Sequence, residues 1–191
     1  MDRGFIFGDG VYEVLSAYAG KVFRFEEHMQ RLERSLKELR IPNPHSRAQW
    51  LEIATKLIAS YADYSRANGQ KDSRDHLIYL QVTRGVALRD HVMPEGITPT
   101  VFGNIGPMPS PSPAARAQGV ACVTADDFRW KKAHIKSTSL LGSVFARQIS
   151  FDAGAAETVM FRGDFLSEAS SSNVWIVKDG VVLGPKKNNL V

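Results

Sequence analysis

The chain has 191 residues, 43% of them hydrophobic and 23% charged, the make-up of a globular protein with enough apolar residues for one good core or two small ones. That composition excludes a disordered or collagen-like chain, and a single cysteine, Cys122, excludes an internal disulfide scaffold. The formal net charge of +4 comes from scattered lysines and arginines, whose densest groups are the pairs Lys131-Lys132 and Lys186-Lys187. No basic stripe interleaved with aromatics points to nucleic acid.

Cys122 lies in the apolar run Gly119-Val120-Ala121-Cys122-Val123, which predicts a buried, inert thiol and a reducing, cytoplasmic setting. No apolar stretch approaches the ~20 residues of a membrane-spanning helix. Met1-Asp2-Arg3-Gly4 also lacks the apolar core of a signal peptide, so neither a membrane partner nor export is expected.

In chain order, Phe5-Ile6-Phe7-Gly8-Asp9-Gly10-Val11-Tyr12-Glu13-Val14 predicts an apolar run, a glycine-rich bend and a strand to Tyr18. The glycine spacing is neither a dinucleotide nor a P-loop fingerprint, so no phosphate cradle is assigned to it. Met29, Leu32, Leu36 and Leu39 recur at helical spacing between Glu26 and about Arg40, with His28 on the flank of the stripe and Arg31 further round the same side. Ser46 and Gln49 make a capping-box pattern before a second helix faced by Trp50, Ala54, Leu57, Ile58 and Tyr61. A polar loop is expected from Asp63 to Asp75.

Strands are expected from Leu77 to Thr83 and from Thr100 to Ile105, joined by a loop carrying Arg84, Arg89, Asp90 and His91. From Gly106 to Pro113 a proline stands at every second position, which favours an extended connector and marks a domain boundary. Beyond it come a strand from Gly119 to Ala125 and a helix with Leu140, Leu141, Val144, Phe145, Gln148 and Ile149, its start prepared by Ser137, Thr138 and Ser139. Two strand-and-turn units follow, Glu157–Phe161 with Arg162-Gly163-Asp164, and Asn173–Val177 with Lys178-Asp179-Gly180. The Arg-Gly-Asp triplet reads as a hairpin turn, not an adhesion motif.

Four groups of residues could carry chemistry. Lys136, between Ile135 and a hydroxyl-rich segment, is either a cation snorkelling at a surface or an amine kept neutral in partly dry surroundings, able to attack a carbonyl. Glu168-Ala169-Ser170-Ser171-Ser172-Asn173 is either turn chemistry or a carboxylate facing a ring nitrogen, with hydroxyls and backbone N–H groups around an anionic cofactor. Arg89 and His91, two residues apart, would point the same way in an extended segment, as a carboxylate grip or as an exposed charged loop. Arg31 suits a phosphate ligand or a rim salt bridge. No His, Cys, Asp and Glu grouping has metal-ligand spacing, and no Gly-x-Ser-x-Gly turn supports a serine hydrolase.

Taken together, Asp2-Arg3-Gly4-Phe5 with Phe7-Gly8-Asp9-Gly10-Val11-Tyr12-Glu13-Val14, Glu27-His28 with Arg31-Leu32, Gln81-Val82-Thr83-Arg84-Gly85 with Arg89 and His91, Ile135-Lys136-Ser137 with Leu140-Leu141-Gly142, and Glu168 with Ser170-Ser171-Ser172-Asn173-Val174 resemble the fold-type IV pyridoxal-phosphate enzymes. The subfamily they are most similar to is that of the D-amino acid aminotransferases, on the strength of Arg89-x-His91. The resemblance implies an α/β (α+β) fold of two domains: a small N-terminal α/β domain over 1–105, lacking its first strands; a proline-rich linker over 106–115; and over 116–191 the first part of a β-rich pseudo-barrel domain that binds the cofactor.

It further implies that Lys136 holds pyridoxal 5'-phosphate as a Schiff base and shuttles the α-proton, that Glu168 pairs with the pyridinium nitrogen, and that Arg31, Ser170 and Ser171 contact the cofactor. Tyr12, Arg89 and His91 would bind the substrate carboxylate, the last two from the partner subunit of a homodimer. The implied reaction is transamination between D-amino acids such as D-alanine and D-glutamate and 2-oxo acids. Branched-chain aminotransferases and aminodeoxychorismate lyases of the same fold are the enzymatic alternatives. Because family members have opening strands before the Asp-Arg-Gly block and a phosphate-binding turn after the last residues here, the chain also reads as truncated at both ends, and a catalytically incompetent fragment is the remaining alternative.

Overall fold

A computed structural model describes residues 1–71 and 74–188. The elements in order are α1 (Arg3–Phe7), β1 (Gly10–Tyr18), β2 (Lys21–Val22), α2 (Phe25–Glu38), α3 (Arg47–Ala67), β3 (His76–Thr83), β4 (Thr100–Pro107), α4 (Pro113–Gln118), β5 (Cys122–Asp126), α5 (Leu141–Asp152), β6 (Glu157–Arg162), β7 (Phe165–Ala169), β8 (Ile176–Lys178) and β9 (Val181–Leu183). They divide into two compact units: Met1–Ser110 together with Ile135–Ser139, and Pro111–His134 together with the chain from Leu140 onward.

The first unit is built on an antiparallel sheet of order β2-β1-β3-β4. Alternation along β1 turns Val11, Leu15 and Ala17 inward, and the register Val11↔Val82, Leu15↔Ile78 and Ala17↔His76 puts their β3 partners on the same face. Against that face pack Met29, Leu32 and Leu36 of α2 and Trp50 and Ala54 of α3, forming one core with Ile135. The capping box at Ser46 and Gln49 forms as the sequence predicts. α3 runs to Ala67, however, past the expected loop start at Asp63. Asp63 is one partner of an Arg66–Asp63 pair on the last turns, so its charge is accommodated within the helix. Asp72 and Ser73, also read as loop, lie outside the described residues.

In the second unit, β5 and β6 are parallel and β6 and β7 antiparallel, while β8 and β9 form a separate hairpin. The Gly163-Asp164 turn joins β6 to β7, and Asp179 and Gly180, both at positive φ, close the β8–β9 hairpin. α5 lies on β5 and β6 and buries its small residues Ala146 and Ser150, leaving Leu141 and Phe145 exposed. Two expectations fail here. Cys122 is exposed, because β5 is an edge strand whose alternation half-buries Val123 and Ala125 and turns Cys122 outward. The hydroxyls of Ser137–Ser139 do not cap α5, whose N-cap is Leu140 with no side-chain bond. Two of them are spent within the first unit, as described below. Among the described residues, no helix is long and apolar enough to cross a membrane.

Candidate functional site

The Asp-Arg-Gly and Gly-Asp-Gly blocks are structural in this fold. Asp2 caps α1 by accepting from Gly4 N at 2.7 Å. A Cβ on Gly4 would lie 2.3 Å from Thr83 Cγ2, and one on Gly10 would lie 2.7 Å from Val82 O. Gly8 sits at φ +64°, closing α1 in the left-handed region that favours glycine. Between them, Asp9 accepts from Arg3 Nε at 2.7 Å and from Arg84 Nε and Nη2 at 2.8 and 3.0 Å. Both arginine side chains are only 4% exposed. Burial opposes the charge on Asp9, but the two guanidinium groups outweigh it and hold the carboxyl below its ordinary range. Arg84 also donates to Leu39 O and Arg40 O, anchoring the chain beyond α2.

This frame positions Lys136. The segment Ile135–Ser139 docks on β1 like a short extra strand: Tyr12 N donates to Lys136 O and Thr138 N to Gly10 O, both at 2.9 Å. Thr138 Oγ1 and Ser139 Oγ donate to Gly8 O at 2.9 and 3.0 Å. Ile135 and Ser137 are buried, so alternation carries the side chain between them, Lys136, to the other side. Its Nζ stands 4.1 Å from the centre of the Tyr12 ring, a cation–π geometry. Tyr12 stacks in turn on Tyr79 at 5.4 Å.

Glu13, the residue after Tyr12, occupies an inward position of β1 and is fully buried. A buried carboxylate requires partners, and α2 supplies them: Arg31 Nε and Nη2 donate to its two oxygens, both at 2.6 Å, and His28 Nδ1 lies 2.8 Å from Oε2. Desolvation opposes the charge on Glu13, but these bonds prevail and depress its pKa. The bidentate bond to Glu13 raises that of Arg31. The spacing of His28 and Arg31 thus has a structural cause. Arg31 Nη1 makes no hydrogen bond among the described residues.

Arg89 and His91 lie on a bent segment, not an extended one, and each stands near the same aromatic ring. The Arg89 guanidinium lies 5.4 Å and the His91 ring 5.3 Å from the centre of Phe7. Both side chains belong to exposed residues of the β3–β4 connection. Tyr12, Lys136, Arg31, Arg89 and His91 are all in the first unit.

Glu168, Ser170 and Ser171 are in the second unit. Glu168, on β7 opposite Met160, accepts from Arg129 Nη1 at 2.5 Å. The serines do not turn toward it. Ser170, Ser171 and Ser172 all donate their hydroxyls to Glu157, the last two at 3.1 and 2.8 Å. Burial disfavours the ionised form of Glu157, but the hydroxyls and the Thr158 N–H overcome it and bring its pKa from 4.5 to about 2. A depressed carboxyl contributes stability that is full above its unfolded pKa and is lost as pH falls toward its folded one. The melting-temperature gap between the wild type and Glu157→Gln is therefore expected to be widest at neutral pH and to close between about 4.5 and 2. A gap independent of pH would contradict the bonding described.

Sequence reasoning missed Asp9, Glu13, Arg129 and Glu157 as organising groups. Only Glu13 left a signal, a charge at an inward position of an alternating strand. Among the described residues no three or more His, Cys, Asp or Glu gather as a metal site.

Comparison with known proteins identifies the family. Residues 10–191 match the family model described as amino-transferase class IV. The chain is 36% identical over 191 residues to the D-alanine aminotransferase of Staphylococcus epidermidis, covering all of this chain and 64% of that protein. It is 38% identical over 181 residues to the D-alanine aminotransferase of Bacillus licheniformis, covering 95% of this chain and 60% of that one. The chain thus spans less than two thirds of the length of these relatives. The branched-chain amino acid aminotransferase of Escherichia coli superposes with a TM-score of 0.78 at 24% identity, over 97% of this chain and 61% of that one, which is a likeness of fold. With a family match over nearly its whole length and a shared fold, the chain belongs to the class IV aminotransferases, a pyridoxal-phosphate-dependent family.

Proposed function

We propose that the protein transfers amino groups between D-amino acids, D-alanine and D-glutamate foremost, and 2-oxo acids. The observation that carries this reading is Lys136, an amine fixed by backbone bonds on both sides and held over an aromatic face, in a chain 36% identical to a D-alanine aminotransferase.

The donor set suits pyridoxal phosphate. Lys136 offers an amine for its aldehyde carbon, Glu168 an anionic oxygen for its ring nitrogen, and Arg31 an unbonded Nη1 for its phosphate. Bound, the cofactor supplies an electron sink for the pair released when the substrate α-C–H bond breaks. Once the substrate amine displaced it from that aldehyde carbon, Lys136 Nζ would be free to accept the α-proton and to deliver it to the carbon it had held. Ser170 and Ser171 donate their hydroxyls to Glu157 and the Ser170 N–H donates to Thr158 O, so the phosphate contact expected of this turn falls to the Ser171 N–H.

Tyr12, Arg89 and His91 grip the substrate α-carboxylate, with Arg89 and His91 acting across a homodimer. The exposure of both and of Phe5, which is 84% exposed, supports a second copy at this edge. Truncating a charge-assisted carboxylate contact costs about 1.5–3 kcal/mol. Arg89→Ala is accordingly expected to lower kcat/KM for D-alanine by about 10–100-fold with cofactor affinity unchanged. A collapse of cofactor binding would remove Arg89 from the carboxylate site.

The test of the whole reading is the visible spectrum of the cofactor-loaded protein after adding D-alanine, L-alanine or L-leucine. Conversion to the amine form of the cofactor with the D-isomer alone is the expected result. Conversion by L-leucine alone would make it a branched-chain enzyme, and no conversion by any would remove the aminotransferase activity.

A further inference from the structure

The second unit holds a charge cluster larger than Glu168 requires for itself. Asp127, with a side chain 0% exposed, takes five hydrogen bonds. Oδ1 accepts from the Arg129 backbone N and from Arg129 Nε, both at 3.0 Å. Oδ2 accepts from Arg129 Nη2 and Arg162 Nε at 3.0 Å and from Ser167 Oγ at 2.8 Å. Burial penalises this carboxylate, but the bonds dominate and hold it far below the ordinary range. Arg162 is itself fastened to Arg129 O and Trp130 O through Nη2.

The consequence falls on Arg129. One edge of its planar fork is locked on Asp127, its side chain is 12% exposed, and only Nη1 remains, which reaches Glu168 Oε2 at 2.5 Å. A guanidinium pinned along one edge cannot swing, so the carboxylate it grips cannot swing either. Glu168 Oε1 makes no hydrogen bond among the described residues. One oxygen of Glu168 is therefore anchored and the other presented.

We propose that Arg129 is a positioning residue for the cofactor ring: by clamping Glu168 Oε2, with Asp127 as its own anchor, it fixes Oε1 as the acceptor for a protonated ring nitrogen. The inference rests on the assignment of Glu168 to that nitrogen under Proposed function. Arg129 is a cation, and its field opposes a protonated ring. The carboxylate oxygen bonded to the ring proton is the nearer charge, and the interaction falls with distance, so orientation of Glu168 outweighs the repulsion. Two arginines balance Asp127 and Glu168, so the cluster without the ring carries no surplus charge to drive the clamp apart.

The experiment loads the protein with ¹⁵N-labelled pyridoxal phosphate and reads the ring-nitrogen chemical shift in the wild type, Arg129→Met, Arg129→Lys, Glu168→Gln and the double variant Arg129→Met/Glu168→Gln. The expected result is a protonated signal in the wild type, its loss in Glu168→Gln, a displacement toward the neutral value in Arg129→Met, and a smaller one in Arg129→Lys, whose single ammonium cannot span both carboxylates. Adding Arg129→Met to Glu168→Gln should move the signal no further, and for D-alanine Arg129→Met should lower kcat with little change in KM. Should Arg129→Met fail to fold by near-ultraviolet circular dichroism, Arg129→Lys decides. A wild-type signal that is neutral, or that survives Glu168→Gln, overturns the assignment of Glu168 and this inference with it. A signal lost in Glu168→Gln but identical to wild type in the folded Arg129 variants overturns the role of Arg129 alone.

Discussion

Asp9→Ala is expected to destabilise the first unit by about 3–5 kcal/mol, the cost of removing one member of a buried ion cluster. The size follows from what is left behind. Arg3 and Arg84, both 4% exposed, would keep their charges with no carboxylate between them, and neither can shed its proton as a buried lysine can. The partial bonds that survive, Arg3 Nη1 to Asp90 O and Arg84 to the carbonyls after α2, solvate one side of each guanidinium only. Asp9→Asn should fall between wild type and Ala, since the amide keeps an acceptor and loses the charge. Urea unfolding followed by circular dichroism measures both, and a loss under about 1 kcal/mol for Asp9→Ala, the level of an exposed pair, would refute the description of this cluster. The same variant should also weaken cofactor binding, because the Gly8–Gly10 bend that Asp9 anchors is the platform for Thr138 and Ser139.

The second large effect is expected at Lys136. Its replacement by Ala removes the amine proposed to hold the cofactor and to move the substrate proton, and general acid–base transfer alone accounts for about 10²–10⁴-fold in rate. Lys136→Ala should therefore retain the fold and lose at least that factor in transamination. Borohydride reduction followed by mass spectrometry of the peptide containing residue 136 gives the direct measurement. The wild type should carry the added mass of the reduced cofactor there, and the variant should carry none at any lysine. A labelled lysine elsewhere would move the reactive amine away from Lys136. Stability should change little, since Lys136 is held by its backbone and its neighbours Ile135 and Ser137 supply the burial.

The framework of the first unit was legible because its signals are local. Alternation along Val11–Ala17, the stripe Met29-Leu32-Leu36 and the capping box at Ser46 each specify an element without help from distant residues. The second unit was harder to read for the opposite reason. An edge strand and a helix that buries Ala146 and Ser150 while exposing Leu141 and Phe145 run against the rule that large apolar residues mark the buried face, so Cys122 was misjudged. Lys136, Arg89 and His91 could be picked out by type and spacing. Their supports could not. Asp9 and Arg84 are 75 residues apart, and Arg129 and Glu168 are 39 apart. Ion pairs of such separation leave no period in a single sequence, and a serine run reads as a turn until Glu157 is seen to collect its hydroxyls.

The return of Ile135–Ser139 to the first unit bears on how this chain can be made and cut. A hydroxyl of Thr138 reaches a carbonyl 128 residues earlier, so the first unit closes only after residue 139 has been synthesised, and the entropy of that long loop is charged to its last step. During translation the sheet made of β1, β3 and β4 waits with one stretch of β1 unpaired, a place where another extended segment could pair in error. For the same reason the proline connector is a poor place to divide the gene. A piece ending there would lack Ile135 from its core and the reactive lysine along with it, while the remainder would carry that lysine with nothing to hold it.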